Sequence, residues 1–245
     1  QFISTVSHEL RTPLSSMKEA VIIVLDGVAG RINKDQKHFL DIAKRNIDRL
    51  SRLIDDVLDF QKLSAGKMKL NMQQNSIAAA ITEVYTTMQP NATKSGVHLA
   101  VDVPGDLPPA VYDNDRILQV LINLVSNGIK FTPAGGRVVI SASGAADHLA
   151  IRISDTGYGI PKEDLSKIFD RFYRVNRPGK EIKGTGLGLA IVSKIVSAHG
   201  GRVEVESELD KGTTFTLFLP LVPPSTPAVD CGHADQKLET VLGGK

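Results

Sequence analysis

Apolar residues recur at Ile3, Val6, Leu10, Leu14, Met17, Val21 and Val24, a three-four spacing that draws one stripe along a helix over 2–25. Asp26, Gly27, Ala29 and Gly30 interrupt it. A second stripe runs through Phe39, Ala43, Ile47, Leu50, Ile54 and Val57 and ends at Ser64, Ala65 and Gly66, so residues 1–65 read as a helical hairpin with a hinge after it. A lone hairpin leaves apolar surface on both helices. Pairing two copies into a four-helix bundle buries it, and the pattern therefore predicts a homodimer.

Beyond the hinge the periodicity becomes mixed. Residues 76–92 and 115–131 carry helical spacing, whereas 97–103, 138–143, 149–154, 203–206 and 214–219 alternate like strands. The uneven interleaving predicts an α+β sandwich over 66–220, with helices on one face of a mixed sheet, rather than a doubly wound parallel fold. A proline-rich stretch over 220–227 closes that domain. The polar tail 221–245 reads as a linker with one short helix over 235–242.

Composition narrows the function classes. The chain has 245 residues, a formal net charge of +2 and 23% charged residues, which leaves no electrostatic footprint for nucleic acid or anionic lipid. Cys231 is the only cysteine, which excludes an internal disulfide and a cysteine metal cluster and fits a reducing cytoplasm. No apolar run reaches the length of a membrane span. The chain opens at Gln1 inside a helical pattern, so it is expected to be a soluble, cytoplasmic piece of a longer protein, attached to a membrane only through segments upstream.

Four places carry candidate chemistry. In Ser7-His8-Glu9-Leu10-Arg11-Thr12-Pro13-Leu14, His8 falls off the apolar stripe with Ser4, Arg11 and Thr12 as its helical neighbours. Pro13 inside a helix costs about 3 kcal/mol, which marks either a functional kink or a tolerated one. Asn123, Asn127 and Lys130 are spaced four and three, on one helical face. Amide oxygens suit a hard cation and an ammonium suits phosphate, although a solvated face would read the same way. Asp155-Thr156-Gly157-Tyr158-Gly159 follows a strand pattern, and a carboxylate there accepts from adenine's amine but repels guanine's carbonyl. An ordinary turn is the plainer alternative. Gly184-Thr185-Gly186-Leu187-Gly188 opens an apolar helix, where backbone amides and the helix dipole favour phosphate. Its spacing fits neither a P-loop nor a Rossmann turn. The basic segment before it, with Arg171, Arg174, Arg177, Lys180 and Lys183, is a solvated loop or a lid over a phosphate site.

In order and spacing these pieces resemble the sensor histidine kinase family. S-H-E-L-R-T-P-L is similar to its phospho-acceptor box and N-L-V-S-N-G-I-K-F to its asparagine box. D-T-G-Y-G-I resembles its first glycine box, F-D-R-F-Y-R its phenylalanine box, G-T-G-L-G-L-A-I its second glycine box and K-G-T-T-F its final Gly-Thr element. Gly128 stands where the family commonly has alanine. The resemblance implies a dimerising phospho-acceptor hairpin followed by a Bergerat, or GHKL, ATP-binding sandwich, with ATP and Mg²⁺ as ligands and a response-regulator receiver domain as partner. It implies that His8 is the nucleophile, with an ordinary pKa that leaves it neutral enough to attack, and that Glu9 holds the other ring nitrogen. Asn127 is the implied Mg²⁺ ligand, supported by Asn123, with Lys130 and Arg174 among the phosphate contacts. Asp155 is implied to read adenine, Phe131 and Thr213 to lie near the base, and Gly157 and Gly159 to admit the backbone. Lys183, Gly184, Thr185, Gly186, Leu187 and Gly188 are implied to close over the phosphates. Thr12 is implied to orient water for dephosphorylation of the regulator. Two competing readings are a water-activating ATPase of the same superfamily, whose glutamate is replaced here by Asn123, and a pseudokinase that binds ATP only as a signal.

Overall fold

The computed structural model of the chain describes residues 2–65, 68–175 and 184–222, with the backbone alone at 2–8 and 64. The expected hinge glycine Gly66, the lid residues Arg177, Lys180 and Lys183, Cys231 and the tail helix lie outside the described residues.

Two long helices, α1 (Phe2–Leu25) and α2 (Lys34–Ser64), form the hairpin. Asn33 starts α2 with a capping box. Its side chain accepts from the Gln36 amide at 2.8 Å while the Gln36 side chain accepts from the Asn33 amide at 2.9 Å, which satisfies two amides that the first turn would otherwise leave unpaired. Pro13 lies inside α1 without ending it. The helices are tied by Arg11 to Asp55 and by Lys18 to Asp48 at 2.8 Å. Leu14 is buried, but Leu10, Met17, Phe39 and Leu50 of the two stripes remain exposed in the single chain.

The remainder is a helix-on-sheet sandwich. A five-stranded sheet has the order β2 (His98–Asp102), β4 (Arg137–Gly144), β5 (His148–Asp155), β7 (Gly212–Pro220), β6 (Arg202–Glu208). The β2–β4 pair is parallel and the others antiparallel, so the sheet is mixed, as the sequence predicts. Alternation fixes which face is covered. Val138, Ile140, Leu149, Ile151, Ile153, Leu217 and Leu219 are buried beneath α3 (Ile77–Lys94), α4 (Asn114–Phe131) and α5 (Gly188–Ala198). On other strand positions, the Arg202 guanidinium stacks 3.9 Å from the Phe218 ring centre and pairs with Glu204 at 2.8 Å. A small antiparallel pair, β1 (Gln73–Asn75) and β3 (Ala110–Tyr112), was not expected; three residues are too few to display a period.

The hairpin is not an isolated module. Phe60 of α2 joins the sandwich core beneath Arg171, whose guanidinium lies 4.2 Å from its ring centre. Beside it Asp59 accepts from Arg116 at 2.8 Å and from Gln119 at 3.1 Å.

A buried histidine pins the sandwich close to that anchor. His199, at the end of α5, is 2% exposed. Its Nδ1 donates to the Ile195 carbonyl at 2.8 Å and its Nε2 accepts from the Asp113 amide at 3.1 Å, which requires the neutral ring. Asp113 in turn caps α4 by accepting from the Arg116 amide, and its other oxygen accepts from the Asn71 amide. Burial holds the His199 pKa below its ordinary 6.5, against the opposing pull of its bond to Ile195 and of Asp113. The unfolded chain therefore binds this proton first as pH falls. The pin contributes fully above about pH 6.5 and is lost as pH drops through the lower folded value. Urea unfolding at pH 7.5 and pH 5.5 is expected to show a drop in midpoint for the natural chain and a clearly smaller drop for His199→Gln.

Candidate functional site

At the end of β5, Asp155 is fixed by backbone amides. Its Oδ1 accepts from Gly157 at 2.9 Å and from Thr213 at 3.2 Å. The Thr213 hydroxyl meets the Ser207 hydroxyl at 2.8 Å, and Ser207 donates to the Gly212 carbonyl and accepts from the Ile160 amide. These close approaches require glycine. A Cβ on Gly212 (φ +118°) would sit 1.9 Å from the Asp155 carbonyl oxygen, and one on Gly157 would sit 2.5 Å from the Phe131 carbonyl oxygen.

Opposite, α4 buries Leu121, Leu124, Val125 and Ile129 in the core and turns Asn123, Ser126, Asn127 and Lys130 to a cleft. The Lys130 Nζ lies 4.9 Å from the Phe131 ring centre. Desolvation, and then repulsion from Arg174, lowers its pKa, so an anion placed beside it would be welcomed by a cation held in an unfavourable setting. Gly128 faces Val138 from within the core, where an added Cβ would lie 3.3 Å from both valine methyls.

The third wall is the glycine run before α5. A Cβ on Gly184 would lie 2.8 Å from Lys130 Nζ, and one on Gly188 would lie 3.2 Å from Asn123 Oδ1. The run therefore lies directly along α4. Gly186 (φ +74°) packs against Phe172, whose amide donates to the Gly186 carbonyl at 3.0 Å and whose own φ is +61°, a conformation that non-glycine residues adopt at a cost. Thr185 accepts from the Leu187 amide at 3.1 Å, but no side chain caps α5. Its first amides and the positive end of its dipole stand at the cleft.

The cleft so formed has a volume of about 410 Å³, within the ~300–1,000 Å³ usual for small-molecule sites. Of the residues singled out in the sequence, Asn123, Asn127, Lys130, Phe131, Asp155, Gly159, Arg174, Gly184, Thr185, Gly186, Gly188 and Thr213 all line it. Gly157 stands behind Asp155, and Leu187 is buried beneath the run. Glu9 and Thr12 are exposed on α1. The side chain of His8 and the whole of Lys183 lie outside the described residues. Ser207 went unnoticed because nothing in its strand distinguishes it from other hydroxyls. Tyr173, Val175 and Phe215 also line the cleft, as do Arg52 and Asp56 of α2; the last two read in sequence only as the polar side of a helix.

Gly159 and Gly135 both have left-handed backbones, with φ +65° and +87°. A Cβ at Gly159 would fall 2.0 Å from the Glu208 carbonyl oxygen, whereas one at Gly135 meets nothing within 4 Å. Gly135→Ala is expected to cost only the conformational ~1–2 kcal/mol, while Gly159→Ala should cost clearly more because the loop must move. Thermal unfolding of the two variants checks the ordering, and equal costs would show that the loop yields freely.

Comparison with known proteins agrees with this architecture. Residues 1–66 match the His Kinase A (phospho-acceptor) domain, and residues 112–223 match the histidine kinase-, DNA gyrase B- and HSP90-like ATPase domain. Drug sensory protein A of Synechocystis is 38% identical over 229 residues, covering 89% of this chain and 34% of that protein. The sensor histidine kinase WalK of Bacillus subtilis is 36% identical over 224 residues, covering 90% and 36%. The chain thus spans about a third of these relatives' length. Among solved structures, full-length ShkA in complex with AMPPNP superimposes with a TM-score of 0.78 at 30% identity, over 92% of this chain and 46% of that one. The catalytic domain of the histidine kinase ThkA matches with a TM-score of 0.56 at 30% identity, over 63% of this chain and all of that domain. A phospho-acceptor hairpin joined to this ATPase sandwich, with close relatives in both halves, means that the chain belongs to the sensor histidine kinase family of two-component systems.

Proposed function

We propose that the chain binds Mg-ATP in the cleft, phosphorylates His8 and passes the phosphoryl group to an aspartate of a response-regulator receiver domain. The reading is carried by one convergence: Asp155, the α4 face of Asn127 and Lys130, and the uncapped start of α5 all meet in one cleft, and that cleft abuts the hairpin bearing His8. The proposed division is 1–65 for dimerisation and phospho-acceptance, 66–220 for ATP binding and 221–245 as a linker. Among the described residues no helix is long and apolar enough to cross a membrane.

ATP fits from both ends. Asp155, its Oδ1 held by two amides, takes the adenine amine beside Thr213 and Phe131, while Lys130, Arg174 and the amides from Gly184 to Gly188 surround the phosphates. The donor set also fits magnesium. Among the described residues no group of three or more His, Cys, Asp or Glu side chains converges as a metal cage, and Mg²⁺ is held commonly by few protein ligands together with phosphates and water. Asn127 would supply the amide ligand, with Asn123 beside it. When bound, the ion neutralises charge on the phosphates.

For the chemical step the neutral His8 ring uses its nitrogen lone pair to attack the γ-phosphorus. A nitrogen–phosphorus bond forms, the bond from the γ-phosphorus to the β,γ-bridging oxygen breaks, and ADP leaves with that electron pair. Glu9 accepts a hydrogen bond from the other ring nitrogen and offsets the positive charge that develops there. Alignment and charge neutralisation are most of what such a transfer asks of a protein. The exposed Leu10, Met17, Phe39 and Leu50 support a homodimer, because a second hairpin would cover them in a four-helix bundle. For the reverse reaction Thr12, one turn after His8 on α1, presents a hydroxyl to orient water on a docked regulator.

Incubation with γ-labelled ATP should give a protein-bound label that is acid-labile and alkali-stable. His8→Ala should abolish the label with ATP affinity unchanged, and label retained on that variant would overturn the assignment. Thr12→Ala should slow decay of phosphorylated regulator by far more than it slows His8 labelling. A proportional fall in both rates would point to local damage of α1 instead.

A further inference from the structure

The face of α2 that docks on the sandwich also reaches the nucleotide cleft. Asp59, Phe60 and Leu63 form the anchored end: Asp59 on Arg116 and Gln119, Phe60 under Arg171, and Leu63 against the core. Going back along the helix in steps of three and four residues leads to Asp56 and then Arg52, which share that side of α2. Both line the cleft together with Asn123, Asn127, Lys130 and Gly188. Besides its hairpin partner α1, α2 packs against α5 of the sandwich, whose uncapped N-terminus would mark the phosphate end of the cleft rather than the Asp155 end. Arg52 is exposed at that mouth, with its Nε donating to the Asp48 carbonyl at 3.2 Å. That bond uses one of a guanidinium's five donors, and the others suit phosphate oxygens.

The hairpin's own geometry puts this arginine near the reacting end. Arg11 of α1 pairs with Asp55. In an antiparallel hairpin with a rise of 1.5 Å per residue, the His8 backbone then stands level with position 58 or so of α2, about 3 Å along the axis from Asp56 and about 9 Å from Arg52.

We propose that Arg52 is a positioning residue for the terminal phosphate of the bound nucleotide, so that a triphosphate, but not a diphosphate, is held from the cleft and from the docked hairpin at once. The inference rests on the reading of the cleft as an ATP site. Asp56 acts against Arg52 as a competing partner. Burial pushes its carboxyl above the ordinary value, with Asp59 and Asp55 adding to the effect and Arg52 opposing it, and a phosphate nearby would push it further the same way. Nucleotide binding then has a mechanical consequence: ADP, lacking the contact, leaves the hairpin to the docking that Asp59, Phe60 and Leu63 already provide.

The test compares AMPPNP and ADP, each with Mg²⁺, by calorimetric titration of the full 245-residue chain. Arg52→Gln should weaken AMPPNP about tenfold, within the range of typical coupling between sites, and leave ADP unchanged. Arg52→Lys should recover part of the difference, and Asp56→Asn should raise the preference for AMPPNP. A fold defect or simple undocking that changes general access to the cleft would weaken both nucleotides together. An AMPPNP-to-ADP affinity ratio that Arg52→Gln leaves unaltered, or that Asp56→Asn lowers, would overturn the role of Arg52 while the ATP reading stands. Binding of neither nucleotide by the unmodified chain would overturn both.

Discussion

The cleft depends on the way one carboxylate is held at the edge of the sheet. Asp155 ends β5, the central strand, which pairs with β4 on one side and β7 on the other, and its Oδ1 is fixed by amides from two different turns. That bonding is possible only because Gly157 and Gly212 let those turns approach within distances that no side chain tolerates. The Ser207 hydroxyl then ties the β6–β7 turn to Ile160 in the loop after β5. A hydrogen-bonding edge set this firmly discriminates by leaving a wrong ligand's polar groups unpaired.

The opposite end of the cleft is built from charge and left unsatisfied. Lys130 has a depressed pKa beside Arg174, and α5 begins with no side-chain cap. Each is unfavourable without an anion and favourable with one. In the proposed reading the two ends divide the work: geometry at Asp155 would select, and electrostatics at α5 would bind. The hairpin reaches the cleft as well, since α2, anchored on the sandwich by Asp59 and Phe60, lines it with Arg52 and Asp56.

Much of this was legible in the sequence, and the parts that were not share a cause. The alternation in β4, β5 and β7 and the two stripes of the hairpin gave their elements closely, because burial of one face imposes a period on the residues themselves. Asn123, Asn127 and Lys130 could be placed on one face from spacing alone, and the glycine run could be placed at a helix start. By contrast, β1 and β3 are three residues each and exist through partners nearly forty positions away. The bond from Asp113 to His199 spans 86 positions, and Ser207 matters through what its turn happens to face. Arg52 and Asp56 are ordinary polar residues of an amphipathic helix until Phe60 is seen to enter another domain's core. Periodicity reports a residue's local environment; it is silent about which distant surface that environment is made of.

The central claim is that the cleft takes adenine through Asp155 and phosphates through the α4 and α5 walls. Competitive binding of ATP and GTP to the unmutated chain and to Asp155→Asn tests it most directly. The account predicts strong binding of ATP, little or none of GTP, and loss of most ATP affinity in the variant. Equal affinity for ATP and GTP in the unmutated chain would contradict it.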